Sequence, residues 1–354
     1  MAKANENLKR TIQLPESGEK TIMVRQGGHF TEQMLVSDKD AHSLLEDNQQ
    51  IFNRDLFKDF NEKNNAKIIK ETFEVEDIGF RLTPPENRLV TAIRSELFNK
   101  SENKDFNSER YYMGNYFPHG EVIKTNFGGQ IMTVPHLLVS RGDLYKAFLG
   151  KDKYAGKDQK DIDRLLRSFS QRYFLTIYKQ HVSINGQIKI NRITEYLPLV
   201  RLKRLDKGLS EIEDGLLDQG GDFTNGNGEY LLAINPIWVD QIKTKWVEFP
   251  HDLNTRLGNA VGHWNKITPA TTYLINYLFH QRSTKNFVTE INEENLFIKL
   301  GLDKYIKRRK RKLAESYLEE SIRVSKEIKL CQNVEKVMGA QGQTKFIFTI
   351  NDEI

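Results

Sequence analysis

The chain contains a single cysteine, Cys331, among 354 residues. That excludes an intramolecular disulfide and any zinc cluster built on several thiolates, and it suits a reducing compartment. No apolar run approaches the roughly 18 to 20 residues needed to span a bilayer. The first residues, MAKANENLKRTIQLPESGEK, lack the apolar core of a signal peptide. A soluble, cytoplasmic protein with no membrane partner is therefore expected. A phosphate-binding loop is missing as well. Gly150 to Asp158 comes nearest, but its spacing is one residue too long and Asp158 stands where a metal-binding hydroxyl belongs. The eight histidines are scattered, and no two stand one residue apart as a paired-histidine nicking site needs. The acidic run Glu211-Ile212-Glu213-Asp214 lies in a polar stretch and reads as a solvated loop. No catalytic residue, metal or cofactor is expected.

What the chain does have is charge placed in one region. Its net charge is +5, and residues 301 to 330 alone carry ten Lys or Arg against five Asp or Glu, so the remainder is balanced. Within that stretch Lys307, Arg308, Arg309, Lys310, Arg311 and Lys312 are consecutive. A placed cationic segment is an electrostatic footprint for a polyanion. Twenty Phe and 13 Tyr supply core side chains for about two domains.

The order of elements repeats. Thr83-Pro84 and Thr268-Pro269 each place Thr as an N-cap and Pro in the first helical turn, and in both four residues separate the Pro from a Leu, Leu89 and Leu274. In the first copy Glu86 completes a capping box, and Leu89, Val90, Ile93 and Leu97 form an apolar stripe. Leu274, Ile275, Leu278 and Phe279 do the same in the second. Each copy then has a short helix ending in Leu-Gly-x-Asp-Lys-Tyr, Leu149 to Tyr154 and Leu300 to Tyr305, with Gly as the expected left-handed cap. Ser140 and Asn292 are the expected N-caps of these short helices.

A third helix and a strand pair follow in each copy. The first pair is expected at Tyr173 to Ser183 and Gln187 to about Leu202, across the hairpin signal Asn185-Gly186. The second is expected at Lys329 to Met338 and Gln343 to Ile350. Three helices and a β-hairpin, twice, predict an α+β fold of tandem winged-helix domains. The expected division is a flexible arm over 1–38, a first domain over 39–205, a linker loop over 206–229 and a second domain over 230–354. The first domain carries an amphipathic helix at Asp38 to Lys63 and an insertion near 99–128.

In a helix-turn-helix the last helix enters the major groove, so its outer face needs Arg, Lys, Asn or Gln. The helix expected at Lys157 to Phe174 puts Lys157, Lys160, Arg164, Arg167 and Gln171 on one side, and Ile162, Leu165, Leu166, Phe169 and Tyr173 on the other. The helix expected at Asp303 to Glu327 buries Ile306, Leu313, Tyr317 and Leu318. On that phase Lys304, Arg308, Arg311 and Lys312 face outward for bases, while Lys307, Arg309 and Lys310 lie on the flanks for phosphates. Lys189, Asn191 and Lys345 are expected near the wing tips.

The tandem Leu-Gly-x-Asp-Lys-Tyr layout resembles the replication initiators of iteron-bearing bacterial plasmids. More closely, the chain resembles a family of chlamydial virulence-plasmid proteins, the product of that plasmid's second reading frame. The residues that carry the resemblance are Leu166 to Arg201 with Tyr173-Phe174-Leu175-Thr176-Ile177, then Asn235 to Ile242, and Glu294-Asn295-Leu296-Phe297, across roughly 85 to 335. The resemblance implies a sequence-specific binder of double-stranded DNA at the repeats of a plasmid origin, acting in replication initiation or plasmid maintenance. It also implies host replication proteins as partners and a homodimer through the first domain. A transcriptional regulator is the alternative within the same class, and a metal-dependent DNA-processing enzyme is the alternative outside it.

Overall fold

A computed structural model describes residues 21–27, 67–78, 82–100, 124–127, 130–133, 136–184, 187–206, 228–234, 238, 246–263, 266–339 and 342–354. It is built of helices and antiparallel strands, an α+β fold. The expected helix at Asp38 to Lys63 lies outside the described residues.

Two helices form its centre. α1 (Pro84–Lys100) begins with the expected capping box: the Thr83 N–H and hydroxyl donate to Glu86 Oε2 at 2.7 and 2.8 Å, and the Glu86 N–H returns to Thr83 Oγ1 at 3.4 Å. α5 (Pro269–Ser283) begins with Thr268 accepting from the Thr271 N–H at 3.1 Å. Both helices are buried well beyond an apolar stripe, from Glu86 to Phe98 and from Ala270 to Phe279. A helix buried on all sides must satisfy its polar residues internally. Asn276 donates to Asn87 Oδ1 at 2.8 Å, and the Tyr273 hydroxyl donates to the Leu82 carbonyl at 3.0 Å, so these pairs also join the two halves.

The same three-stranded sheet occurs in each half. In the first, β5 (His136–Ser140) pairs with β9 (Glu229–Ile234), which pairs with β8 (Val200–Leu205). In the second, β11 (Val288–Asn292) pairs with β13 (Thr344–Ile350), which pairs with β12 (Cys331–Met338). Between the strands lie α2 (Arg141–Leu149) and α3 (Gly156–Ser170) in the first half. The second half has α6 (Glu293–Lys299), α7 (Asp303–Lys307) and α8 (Arg311–Glu327). Ser140 caps α2 by accepting from the Asp143 N–H at 3.0 Å, and Asn292 holds the N-cap position of α6 without a side-chain bond. Gly150 and Gly301 both take the left-handed conformation expected of them, with φ of 64° and 65°.

The strand pair expected as the first wing lies in a different sheet. The strands β6 (Tyr173–Ile184) and β7 (Gln187–Pro198) pair antiparallel from Tyr173 with Pro198 to Ile184 with Gln187, but β6 also pairs with β2 (Lys67–Ile78), in a separate sheet. The strand run expected to continue to Leu202 is interrupted at Leu199, and β8 leaves for the other sheet. The strands equivalent to β12 and β13 are therefore β8 and β9. The stretch expected as a linker over 206–229 connects them, and the boundary expected at 230 falls inside β9.

Both ends of that connection rest on one fully buried arginine. The Arg141 guanidinium pairs with Asp206, and its backbone N–H donates to the Gly228 carbonyl at 3.0 Å. A Cβ on Gly228 would overlap that guanidinium, so glycine is required there.

Other pieces tie the halves together. β1 (Met23–Gly27), inside the expected flexible arm, pairs with β10 (Trp246–Pro250). The expected insertion near 99–128 contributes β3 (Lys124–Phe127), which pairs with β4 (Gln130–Thr133) just beyond it. α4 (Leu253–Val261) crosses onto the first half, where Asn254 Nδ2 donates to the carbonyls of Arg88 at 3.0 Å and Ala147 at 2.9 Å. The apolar core is accordingly one cluster running from Val24 to Ile350.

Candidate nucleic-acid interface

α3 is fixed from beneath by Ile162, Leu166 and Phe169, all buried, with Phe169 edge-on to Trp238 at 6.4 Å. Its far end is tied to the start of α1, because Arg172 Nε donates to Glu86 Oε1 at 3.0 Å. Lys157, Lys160, Arg164, Arg167 and Gln171 are all exposed, and their spacing of three or four residues aligns them on one strip. The helix is shorter than expected: Gln171 is its C-cap, and Tyr173 opens β6 instead of closing the helix. An open cleft of about 390 Å³ adjoins the strip, with Phe148, Leu149, Ile162 and Leu165 among its lining together with Asp158, Asp161 and Arg164 of the strip itself.

Sequence reasoning missed Asp163, which is buried under α3. Its Oδ1 accepts the Tyr145 hydroxyl at 2.7 Å and also the Tyr230 hydroxyl, while Oδ2 has no hydrogen-bond partner among the described residues. Burial, then the neighbouring tyrosine and Asp163, push the Tyr145 hydroxyl far above the usual phenol range. The triad joins α3, α2 and β9, which locks the cationic helix onto its sheet. The one available signal was an acid placed beside Ile162 on the inward arc of an amphipathic helix.

In the second half the single expected helix is two. α7 ends at Lys307, Arg308 caps it, and Arg309 takes a left-handed φ of 56° before α8 begins. The Lys310 N–H donates to the Tyr305 carbonyl at 2.8 Å and the Arg309 N–H to Ile306 at 2.9 Å, the paired bonds of a Schellman cap. This break resets the helical phase. Leu313, expected inside, is 38% exposed, Ile306 and Tyr317 are half-buried, and the inward face of α8 is Ala314, Leu318, Ser321 and Val324.

The six cations therefore wrap a corner between two helices, and all six are exposed, as is Lys304. The structure sorts them differently from the helical phase. Arg311, expected to face bases, is held by Glu293 at 2.5 Å and Glu315 at 2.9 Å. Lys307 is held by Asp303 at 2.9 Å. Arg308, Arg309, Lys310 and Lys312 have no ion pair among the described residues, so they are the cations with most to gain from phosphate. Of the expected wing residues, Lys345 is paired with Glu290. Lys189 and Asn191 stand in β7, away from the sheet of β5, β9 and β8.

Among the described residues no three His, Cys, Asp or Glu side chains come together as a metal site, and no helix is long and apolar enough to cross a membrane. The Glu211 to Asp214 run lies outside the described residues.

No family model matches the chain. The virulence plasmid protein pGP2-D of Chlamydia psittaci is 22% identical over 300 residues, covering 78% of this chain and 82% of that protein. The chain is thus similar to a chlamydial virulence-plasmid protein, as its sequence pattern implies. Among solved structures, the crystal structure of RctB domains 2-3 covers 61% of this chain and 76% of its own, at 13% identity and a TM-score of 0.37. A selenomethionine derivative of RctB domains 2 and 3 covers 81% and 94%, at 11% identity and a TM-score of 0.39.

Proposed function

We propose that the chain is a non-enzymatic, sequence-specific binder of double-stranded DNA that recognises repeats at a plasmid origin through two winged helices. It acts in the cytoplasm in replication initiation or plasmid maintenance. The supporting observation is that, once the strand pairs β3-β4 and β6-β7 are set aside, the order helix, strand, helix, cationic helix, two strands occurs twice, as α1-β5-α2-α3-β8-β9 and as α5-β11-α6-α7/α8-β12-β13. In both copies the exposed face of the last helical segment carries Lys and Arg above a buried core. The similarity to a virulence plasmid protein supports the plasmid setting. In this reading Lys157, Lys160, Arg164, Arg167 and Gln171 enter one major groove. Arg308 and Lys312 enter the next, with Arg309 and Lys310 on phosphates. Host replication proteins and a second copy of the chain, through the first domain, are the protein partners.

The test is a titration of DNA flanking its own gene against random duplex at several salt concentrations. Removing a phosphate-contacting lysine should flatten the salt slope by about one unit, and R164A or R308A should weaken the specific site by roughly 1 to 3 kcal/mol. Protected direct repeats would support initiation, whereas one palindrome would point to a regulator. Equal affinity for both DNAs, indifferent to R164A and R308A, would overturn the assignment. Nicking of supercoiled DNA in Mg²⁺ would show an enzyme instead.

A further inference from the structure

Glu293 is the first residue of α6, and only 15% of its side chain is exposed. It nevertheless faces the cationic corner. One carboxylate oxygen takes Arg311 Nη2 at 2.5 Å, at the start of α8, and the other takes Lys336 Nζ at 3.1 Å, on β12. A single acid thus spans the helical start and the wing strand of the second half. Burial alone would raise its carboxyl, but the hydrogen bonds from Lys336 and Arg311 outweigh that and hold it below the usual range. It is therefore a fixed negative charge at neutral pH, set among cations that otherwise invite phosphate.

We propose that Glu293 limits how tightly the second half grips DNA of any sequence, by holding Arg311 and Lys336 off the phosphate backbone. The inference rests on the reading that the corner at Arg308 to Lys312 faces DNA. Phosphate contacts carry affinity without sequence information, so two cations withdrawn from them lower non-specific binding more than specific binding. Of the two, Lys336 has only Glu293 as a carboxylate partner among the described residues, while Arg311 keeps Glu315 one turn away. Loss of Glu293 therefore frees Lys336 first.

The experiment is a titration of the full chain against a random 30-base-pair duplex across a salt series. E293Q should bind this duplex several-fold more tightly than the parent, with a salt slope steeper by about one to two units. A role confined to holding the fold would instead weaken binding. In the E293Q background K336Q should cancel most of the gain, although K336Q alone changes little, a coupling that a double-mutant cycle reads directly. E327Q removes an equal charge at the far end of α8, where Glu327 pairs with Arg323, and should match the parent. E293D, which keeps the charge, should also match it. Binding by E293Q that is no tighter than the parent, or an equal gain in E327Q, would overturn the proposal. If the double variant R308A with K312A leaves binding and slope unchanged, the interface assignment itself falls and takes this proposal with it. If that variant weakens binding while E293Q does nothing, only the role of Glu293 is wrong.

Discussion

Arg309 occupies a backbone conformation that normally belongs to glycine. Lys285 and Lys329 do the same at the ends of α5 and α8, and all three have φ near 60°. A side chain there costs roughly 1 to 2 kcal/mol, so a cation is kept in the corner at the expense of stability. R309G should raise the melting temperature while flattening the salt slope for DNA by about one unit. K329G should give only the stability gain. Thermal melts paired with salt titrations separate the two effects. Asp206 makes a second prediction. Burial would raise its carboxyl, but the hydrogen bonds from Arg204 and Arg141 hold it below its ordinary 3.8. A depressed acid stabilises fully above that value and loses its contribution as pH falls through the folded pKa. D206N should therefore cost about 3 kcal/mol at neutral pH, since Arg141 is left buried beside a neutral group, and should flatten the acid limb of a stability-versus-pH curve.

At the level of elements, what depended on neighbours in sequence was readable in advance. The Thr83 and Thr268 caps, Ser140, and the left-handed Gly150 and Gly301 are all local chemistry, and each is found where its motif places it. What depended on distant partners was not. Nothing in Tyr173–Ile184 announces that it pairs with Lys67–Ile78 rather than with the sheet of β5, β9 and β8. The break at Arg309 was hidden for a different reason, since a lysine-arginine run has good helix propensity and carries no Gly or Pro to mark a stop. Of the candidate residues, the five on α3 are exposed along one strip, whereas Arg311 and Lys307 are paired with carboxylates. Asp163 and Glu293 entered only through contacts made across the fold. Gly150 tests the junction of elements. Its φ is 64°, and a Cβ would lie 2.7 Å from the Thr255 backbone in α4. G150A should destabilise by about 2 to 4 kcal/mol, from the left-handed penalty plus displaced packing. Chemical denaturation checks it.

For the whole molecule, the two halves share one core instead of hanging from a tether. α1 and α5 meet through Asn87 and Asn276, α4 lies on α1 and α2, and the strand that completes the first sheet comes after the stretch expected to separate the halves. Heat should therefore unfold the chain in one transition, with equal calorimetric and van't Hoff enthalpies. A fragment ending at residue 205 should fail to give a soluble folded product, because β5 and β8 lose the strand between them. Two separate transitions, or a stable 1–205 fragment, would contradict the shared core. The Arg141 clamp carries one more implication. Because Asp206 is held by the guanidinium and Gly228 by the backbone N–H of one buried residue, the stretch between them can change in length and composition without the scaffold being redesigned. Related chains can vary most freely there, and an epitope or fluorescent label grafted at that position should leave the rest of the molecule undisturbed.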